Sequence, residues 1–287
     1  MSLEIDKSRK FIGFISLIVA TILWGTSFVY IKLSIYSIDP FTYVFIRSFL
    51  ATIFLLPPLF YKIIRKRLDL ESFRGGLALG LVYSGGLLLQ GAGTYYIDPS
   101  TSAFITGLST VYVHIYSAFI RKKYDIIDLV VLSTAVSGLY IMTRPSGGIG
   151  IGETLVLLGS FLWALEIILV SVYNRSSLIE FLFATSLAGT FYGIPLIDRE
   201  IKIDTETLIY LIYLALVCSV AAVLLQIYGQ RYVSEKTAAV IFLLETVFAT
   251  IFSIATRLET AGLHKIIGGG LILTSLYLSI LSEYREK

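Results

Sequence analysis

The chain has 287 residues, 56% of them hydrophobic and 15% charged, with a formal net charge of +3 and a mean hydropathy of +0.83. A soluble domain carries about 25% charged residues, so this chain has too little polar cover for water, and lipid is the expected solvent. The charge balance is too small to imply a nucleic-acid partner, and one cysteine, Cys218, leaves neither an intrachain disulfide nor a CxxC metal site.

Lys7, Arg9 and Lys10 precede an apolar stretch from Phe11 to Ile31. The stretch is about 20 residues long and lacks a small-x-small cleavage site, so it is expected to be a retained first span rather than a signal peptide. Four more candidate spans follow in the first half: Phe41–Phe60, Gly75–Tyr95, Thr101–Ile120 and Ile126–Thr143. The second half offers Gly152–Val172, Leu178–Ile197, Thr207–Tyr228, Thr237–Thr256 and His264–Leu281. Short connections carry turn formers, among them Asp39-Pro40, Asp98-Pro99-Ser100 and Pro145-Ser146-Gly147-Gly148. No connection is long enough for a soluble domain.

Charge placement sets the orientation. With the N-terminus inside, the cytoplasmic stretches of the first half hold Lys62, Arg65, Lys66, Arg67 and Arg74, then Arg121, Lys122 and Lys123. The opposite loops hold only Lys32 and Arg144, which is the positive-inside pattern. The second half is less decisive, because Arg199 and Lys202 face Arg175, Arg231 and Lys236 across the membrane. An even span count returns the C-terminus to the inside, and the expected location is the cytoplasmic membrane.

Leu88–Ile120 recurs 136 positions later as Leu224–Thr256. The alignment pairs Gln90 with Gln226, Gly93 with Gly229, Tyr96 with Tyr232, Thr101 with Thr237 and Thr110 with Thr246. Leu23-Trp24 and Leu162-Trp163 match at an offset of 139. The repeat unit is therefore five helices, residues 11–143 and 152–282. An odd number of crossings inverts the second copy, so the expected fold is an all-α membrane protein of ten transmembrane helices in two inverted five-helix repeats. In such folds the solute site lies near the midplane between the halves.

Charged groups inside a span cost about 2.5–3.5 kcal/mol on insertion scales and therefore mark wet cavities or paired interiors. Glu245 lies about eight residues into its span, roughly 12 Å deep at 1.5 Å per residue; its repeat mate is Ser109. Glu166 is three residues after Trp163 and shares its helix face. Both acids are candidates for substrate-amine recognition or for carrying a coupling proton. The competing reading of Glu245 is a helix tether, and of Glu166 a protonated buried acid. His114 suits a proton relay or a packing role. Gln90 and Gln226 suit substrate orientation or helix–helix bonding. Trp24 and Trp163 suit aromatic cavity walls.

Other polar groups read as structural. Arg47 is expected to anchor near the outer interface or pair with Asp39, capture of a substrate carboxylate being the alternative. Lys32 is expected to be an interface anchor, and Glu153 to suit a helix N-terminus. No GxxxxGK[ST] or HExxH motif and no Cys/His cluster occurs, so ATP-driven pumping, metal sites and bound cofactors have no support. Enzyme chemistry has none either: Ser109 and His114 lie on different faces of one helix. Non-transporting structural or sensory roles remain the alternative class.

Trp24-Gly25-Thr26-Ser27-Phe28 resembles the W-G-x-x-F of the first span in the EamA family of the drug/metabolite transporter superfamily. Arg47 with Ala51, the stretch from Glu153 to Trp163-Ala164, and Leu244-Glu245-Thr246-Val247-Phe248-Ala249 resemble that family's second-, sixth- and ninth-span motifs. The resemblance implies a ten-helix inverted-repeat carrier of small metabolites such as amino acids, often moving them outward. It also places Glu245, Trp24 and Trp163 at family positions. Three departures stand out. Thr110 and Thr246 replace the usual prolines, leaving those spans either less kinked or bent by threonine bonds to backbone carbonyls. Arg121-Lys122-Lys123 stands where the family has G-E. Glu166 stands where many relatives have an aromatic or neutral residue. The expected protein is a secondary transporter, with a small metabolite and the bilayer as partners, working as a monomer with a dimer as the alternative.

Overall fold

The computed structural model describes residues 2–65, 67–122, 124–143, 150–173, 177–193 and 203–285. Every regular element among them is helical. The first half contains α1 (Ser2–Ile35), α2 (Pro40–Ile64), α3 (Leu70–Tyr96), α4 (Pro99–Gly107), α5 (Ser109–Tyr116) and α6 (Ile126–Thr143). The second contains α7 (Ile151–Tyr173), α8 (Leu178–Gly193), α9 (Thr205–Tyr213), α10 (Ala222–Gly229), α11 (Glu235–Phe242), α12 (Leu244–Ala255) and α13 (Leu263–Arg285). A π-helical turn, Ser117–Arg121, follows α5, and a longer π stretch, Leu214–Ala221, joins α9 to α10.

Merged across their breaks, eight of these helices are long and apolar enough to cross a bilayer, and Ile126–Met142 and Leu178–Gly193 are shorter apolar helices. The expected end of the seventh span, Ile197, lies outside the described residues, as do Lys66, Lys123, Arg144, Arg175, Arg199, Lys202 and Lys287.

The turn formers act as helix starts. Asp39 accepts from the backbone N–H groups of Phe41 and Thr42, with Pro40 in the first turn where a missing N–H costs nothing. Asp69, Asp204 and Ser234 cap α3, α9 and α11 in the same way. The fourth and ninth predicted spans are each two helices. The breaks fall at Leu108, whose N–H bonds Ile105, and at Leu243, whose N–H bonds Val240. Each is a local three-residue turn in an α-helical ladder.

Packing runs mainly between the halves. α3 lies against α7 and α8, α2 against α8, α1 against α10 and α12, and α6 against α13. Glycines set the closest crossings. A Cβ on Gly93 of α3 would sit 2.7 Å from the Gly152 carbonyl of α7, and one on Gly229 of α10 would sit 2.9 Å from the Gly13 carbonyl of α1. Gly93 and Gly229 are repeat mates at offset 136, and Gly13 and Gly152 are separated by the tryptophan offset of 139. Lipid-facing positions carry the large exposed side chains, such as Phe54, Phe119 and Ile266.

Candidate functional site

A cavity of about 530 Å³, counting the part open to solvent, lies between the halves. Trp24, Ser27 and Arg47 line it from α1 and α2, Tyr83, Leu87 and Gln90 from α3, and Thr106 and Ser109 from α4 and α5. The second half contributes Trp163, Glu166 and Ile167 from α7, Phe242 from α11 and Glu245 from α12. Apolar walls with a few convergent polar groups are the usual make-up of a small-molecule site.

Four pairs of repeat mates line this space. Trp24 faces it with Trp163, and Ser27 with Glu166, at offset 139; Thr106 faces it with Phe242, and Ser109 with Glu245, at offset 136. The paired positions differ in chemistry. Both carboxylates come from the second half, and the hydroxyls and the arginine come from the first.

Arg47 is 2% exposed. Its Nε donates to Ser219 Oγ at 2.7 Å and its Nη1 donates to the Tyr43 hydroxyl. The interface-anchor expectation is thus corrected: Asp39 is committed to capping α2, and Arg47 points inward to the cavity. Tyr83 OH lies 3.3 Å from Ser219 Oγ, and its ring meets Trp163 edge-on at 5.3 Å. The π stretch makes this junction. Its Cys218 carbonyl accepts from Trp24 Nε1 at 2.9 Å while its Ser219 hydroxyl serves Arg47. Such widened turns displace backbone groups from the regular ladder and recur at functional sites.

Gln90 lines the cavity and donates to Thr106 Oγ1 at 3.1 Å. Gln226 is completely buried and donates to Glu166 Oε2 and to Gln230 Oε1, both at 2.9 Å. Gln230 donates to the Ile167 carbonyl and to Ser171 Oγ, so a polar track leaves Glu166 along α7 and α10. His114 lies outside the cavity lining; its Nδ1 is 3.2 Å from the Tyr124 hydroxyl. The structure therefore brings Trp24, Gln90, Trp163, Glu166 and Glu245 to one space, puts Gln226 behind Glu166, and leaves His114 apart.

Three buried polar atoms here have no hydrogen-bond partner among the described residues: Trp163 Nε1, Glu166 Oε1 and Gln226 Oε1. No group of three potential metal ligands forms among the described residues. Ser27, Arg47, Tyr83, Thr106 and Ser109 were not among the expected lining residues. For two of them a signal existed: the repeat offsets, applied to Glu166 and Glu245, lead to Ser27 and Ser109.

A sequence model of the EamA-like transporter family matches residues 11–144 and again 150–281. The chain belongs to the EamA-like transporter family. An "uncharacterized transporter" of Archaeoglobus fulgidus is 30% identical over 267 residues, covering 91% of this chain and 83% of the relative. A second uncharacterized transporter of that organism is 24% identical over 288 residues, covering 94% and 97%. A solved crystal structure of a protein superposes with a TM-score of 0.75 at 15% identity, over 98% of this chain and 99% of that one. That likeness shows a shared fold. Membership in the EamA-like family, with the apolar helices, makes this a multi-pass membrane transporter.

Proposed function

We propose that the protein is a secondary transporter that moves small organic metabolites, amino acids first among them, outward across the cytoplasmic membrane by alternating access. In this reading the two halves are inverted five-helix repeats, and exchanging their conformations carries the cavity from one side to the other. The observation that carries it is the cavity itself: four pairs of repeat mates meet there, with Arg47 on one half and Glu166 and Glu245 on the other. A zwitterion offers matching charges to both.

The ion pairs add support. Lys10–Glu283, Lys62–Glu180, Arg121–Glu235 and Lys236–Asp128 all join the first half to the second. Every one lies at the helix ends that the positive-inside pattern assigns to the cytoplasm. At the opposite ends the ion pair among the described residues, Lys265–Glu259, stays within the second half. We read the arrangement as a closed inner gate. The single chain is the working unit, because the cavity is complete within it. Glu166 or Glu245 carries the coupling proton.

Uptake of radiolabelled amino acids, sugars and nucleosides by purified protein in liposomes tests the proposal. Saturable, protein-dependent flux of an amino acid is expected, faster with an imposed pH gradient. Absence of flux for every solute leaves a structural or sensory role instead.

A further inference from the structure

The two cavity tryptophans occupy matched positions in the repeat but have different bonding. Trp24 is tied down, its indole N–H spent on the Cys218 carbonyl. Trp163 faces the equivalent stretch of α3, which has no π turn, and its indole N–H is buried without a partner. A buried donor left unsatisfied is costly, and such groups persist in native structures where a ligand or water completes them. Tyr83 stands edge-on to the Trp163 ring and reaches Ser219, on which Arg47 Nε is seated. The guanidinium, the phenol and the indole thus form one continuous wall.

Arg47 has no carboxylate in ion-pair contact among the described residues. Its hydrogen-bond partners there are two hydroxyls; Glu245 faces it across the same cavity without reaching ion-pair contact, which leaves part of the donor fork open to the space between them. Buried charges are ordinarily paired. The guanidinium fork matches a carboxylate in plane and spacing.

We propose that Arg47 and the Trp163 indole N–H form a carboxylate-receiving pole, so that the solutes taken are small carboxylates whose other end offers hydrogen-bond donors to Glu245 and Glu166. This rests on the carrier reading and deepens it: recognition of the acid group, and not of the side chain, decides entry. Tyr83 is a positioning residue that holds the two donors in register. The acids on the facing half set the second requirement, because an anion without donors meets them unfavourably.

The unaltered protein is titrated with L-alanine and with L-alaninamide, which differ only at the carboxylate, at constant ionic strength, and stabilisation is read in a thermal melt. Alanine is expected to raise the melting temperature saturably, with alaninamide at least tenfold weaker. Arg47→Gln is expected to abolish that difference. Arg47 also holds Tyr43 and Ser219, so a second variant guards against misfolding. Trp163→Phe keeps an aromatic ring against Tyr83 while removing the N–H along with part of the indole, and should weaken alanine's stabilisation in a thermal melt by roughly three- to tenfold. The pole is overturned if alaninamide matches alanine, if neither ligand acts, or if Trp163→Phe binds alanine as the unaltered protein does. Liposome flux separates the two ideas. Flux of neutral solutes with no alanine response removes the pole alone; an alanine response with no flux of any solute removes the carrier.

Discussion

Thr110 donates its hydroxyl to the Ala239 carbonyl at 2.9 Å, and Thr246 donates to the Ala103 carbonyl at 3.1 Å. The two threonines are 136 positions apart, and so are the two alanines. The bonds are reciprocal: each copy of the repeat gives to the other what it receives. They cross beside the breaks at Leu108 and Leu243, where the helical ladders are weakest. Of the two expectations for these spans, the second holds in part, because both hydroxyls bond backbone carbonyls. The helices are broken without proline, and the threonine hydroxyls reach the opposite half instead of their own backbone.

Removing either bond should therefore cost a similar amount. Interhelical side-chain bonds in membranes contribute about 0.6 kcal/mol on average and up to about 1.7. Thr110→Val and Thr246→Val are each expected to lower the melting temperature in detergent by a few degrees, equally within error. A loss confined to one of them would show that the crossing is not energetically symmetric.

The glycine contacts give a sharper contrast. A Cβ on Gly76 of α3 would lie 2.1 Å from the Phe181 carbonyl of α8, a backbone atom that cannot swing aside. Gly269 of α13 has nothing within 4 Å of the same position. Gly76→Ala must separate two helices and should cost about 1–3 kcal/mol, as overpacking does. Gly269→Ala should be neutral or stabilising by up to about 1 kcal/mol through helix propensity. Chemical or thermal unfolding of both variants checks the sign of each.

Eight of the ten expected spans and the two copies of the repeat were readable because lipid demands long apolar runs and because polar letters inside them are rare. The inward faces were not. In a span that is apolar all round, periodicity gives no direction, since lipid and neighbouring helices both accept leucine. Arg47 illustrates the loss. Seven positions into α2, it sits where a cation near the membrane surface would also sit, and only packing of α2 against the π stretch reveals that it turns inward. His114 is the opposite case. A lone histidine in a span suited a proton relay and a packing role equally, and the structure sets its ring nitrogen beside Tyr124, ten residues on and outside the helix. Glu166 and Glu245 were easier, because no nearby residue in either span offered them a charge partner.

Lys236 and Asp128 form the most buried of the cross-half ion pairs, at 2.8 Å with both side chains 5% exposed. Breaking such a pair from one side leaves a buried charge and costs about 3–5 kcal/mol, whereas an apolar pair of similar volume is often neutral. Lys236→Met is expected to destabilise strongly, and Lys236→Met with Asp128→Leu to recover most of the loss. Unfolding free energies of the two single variants and the double variant close the cycle. Additive losses would mean that the pair contributes no coupling.

If those four ion pairs close an inner gate, weakening one should expose the polar track beneath it. Ser171, at the far end of the chain of side chains from Glu166, is the place to look. With Cys218→Ser removing the native thiol, a cysteine introduced by Ser171→Cys reports access from the cytoplasmic side through its reaction with a membrane-impermeant maleimide. Lys62 and Glu180, 2.7 Å apart, join α2 to α8. Lys62→Glu sets two acids against each other there and should speed labelling severalfold. Lys62→Glu combined with Glu180→Lys restores opposite charges and should slow it again. The charge swap separates gating from simple loosening, because both variants disturb the same packing and only one of them repels. Labelling that rises equally in the two would make these pairs helix glue, and the closed end of the cavity would then owe its seal to the apolar packing of α3, α7 and α8.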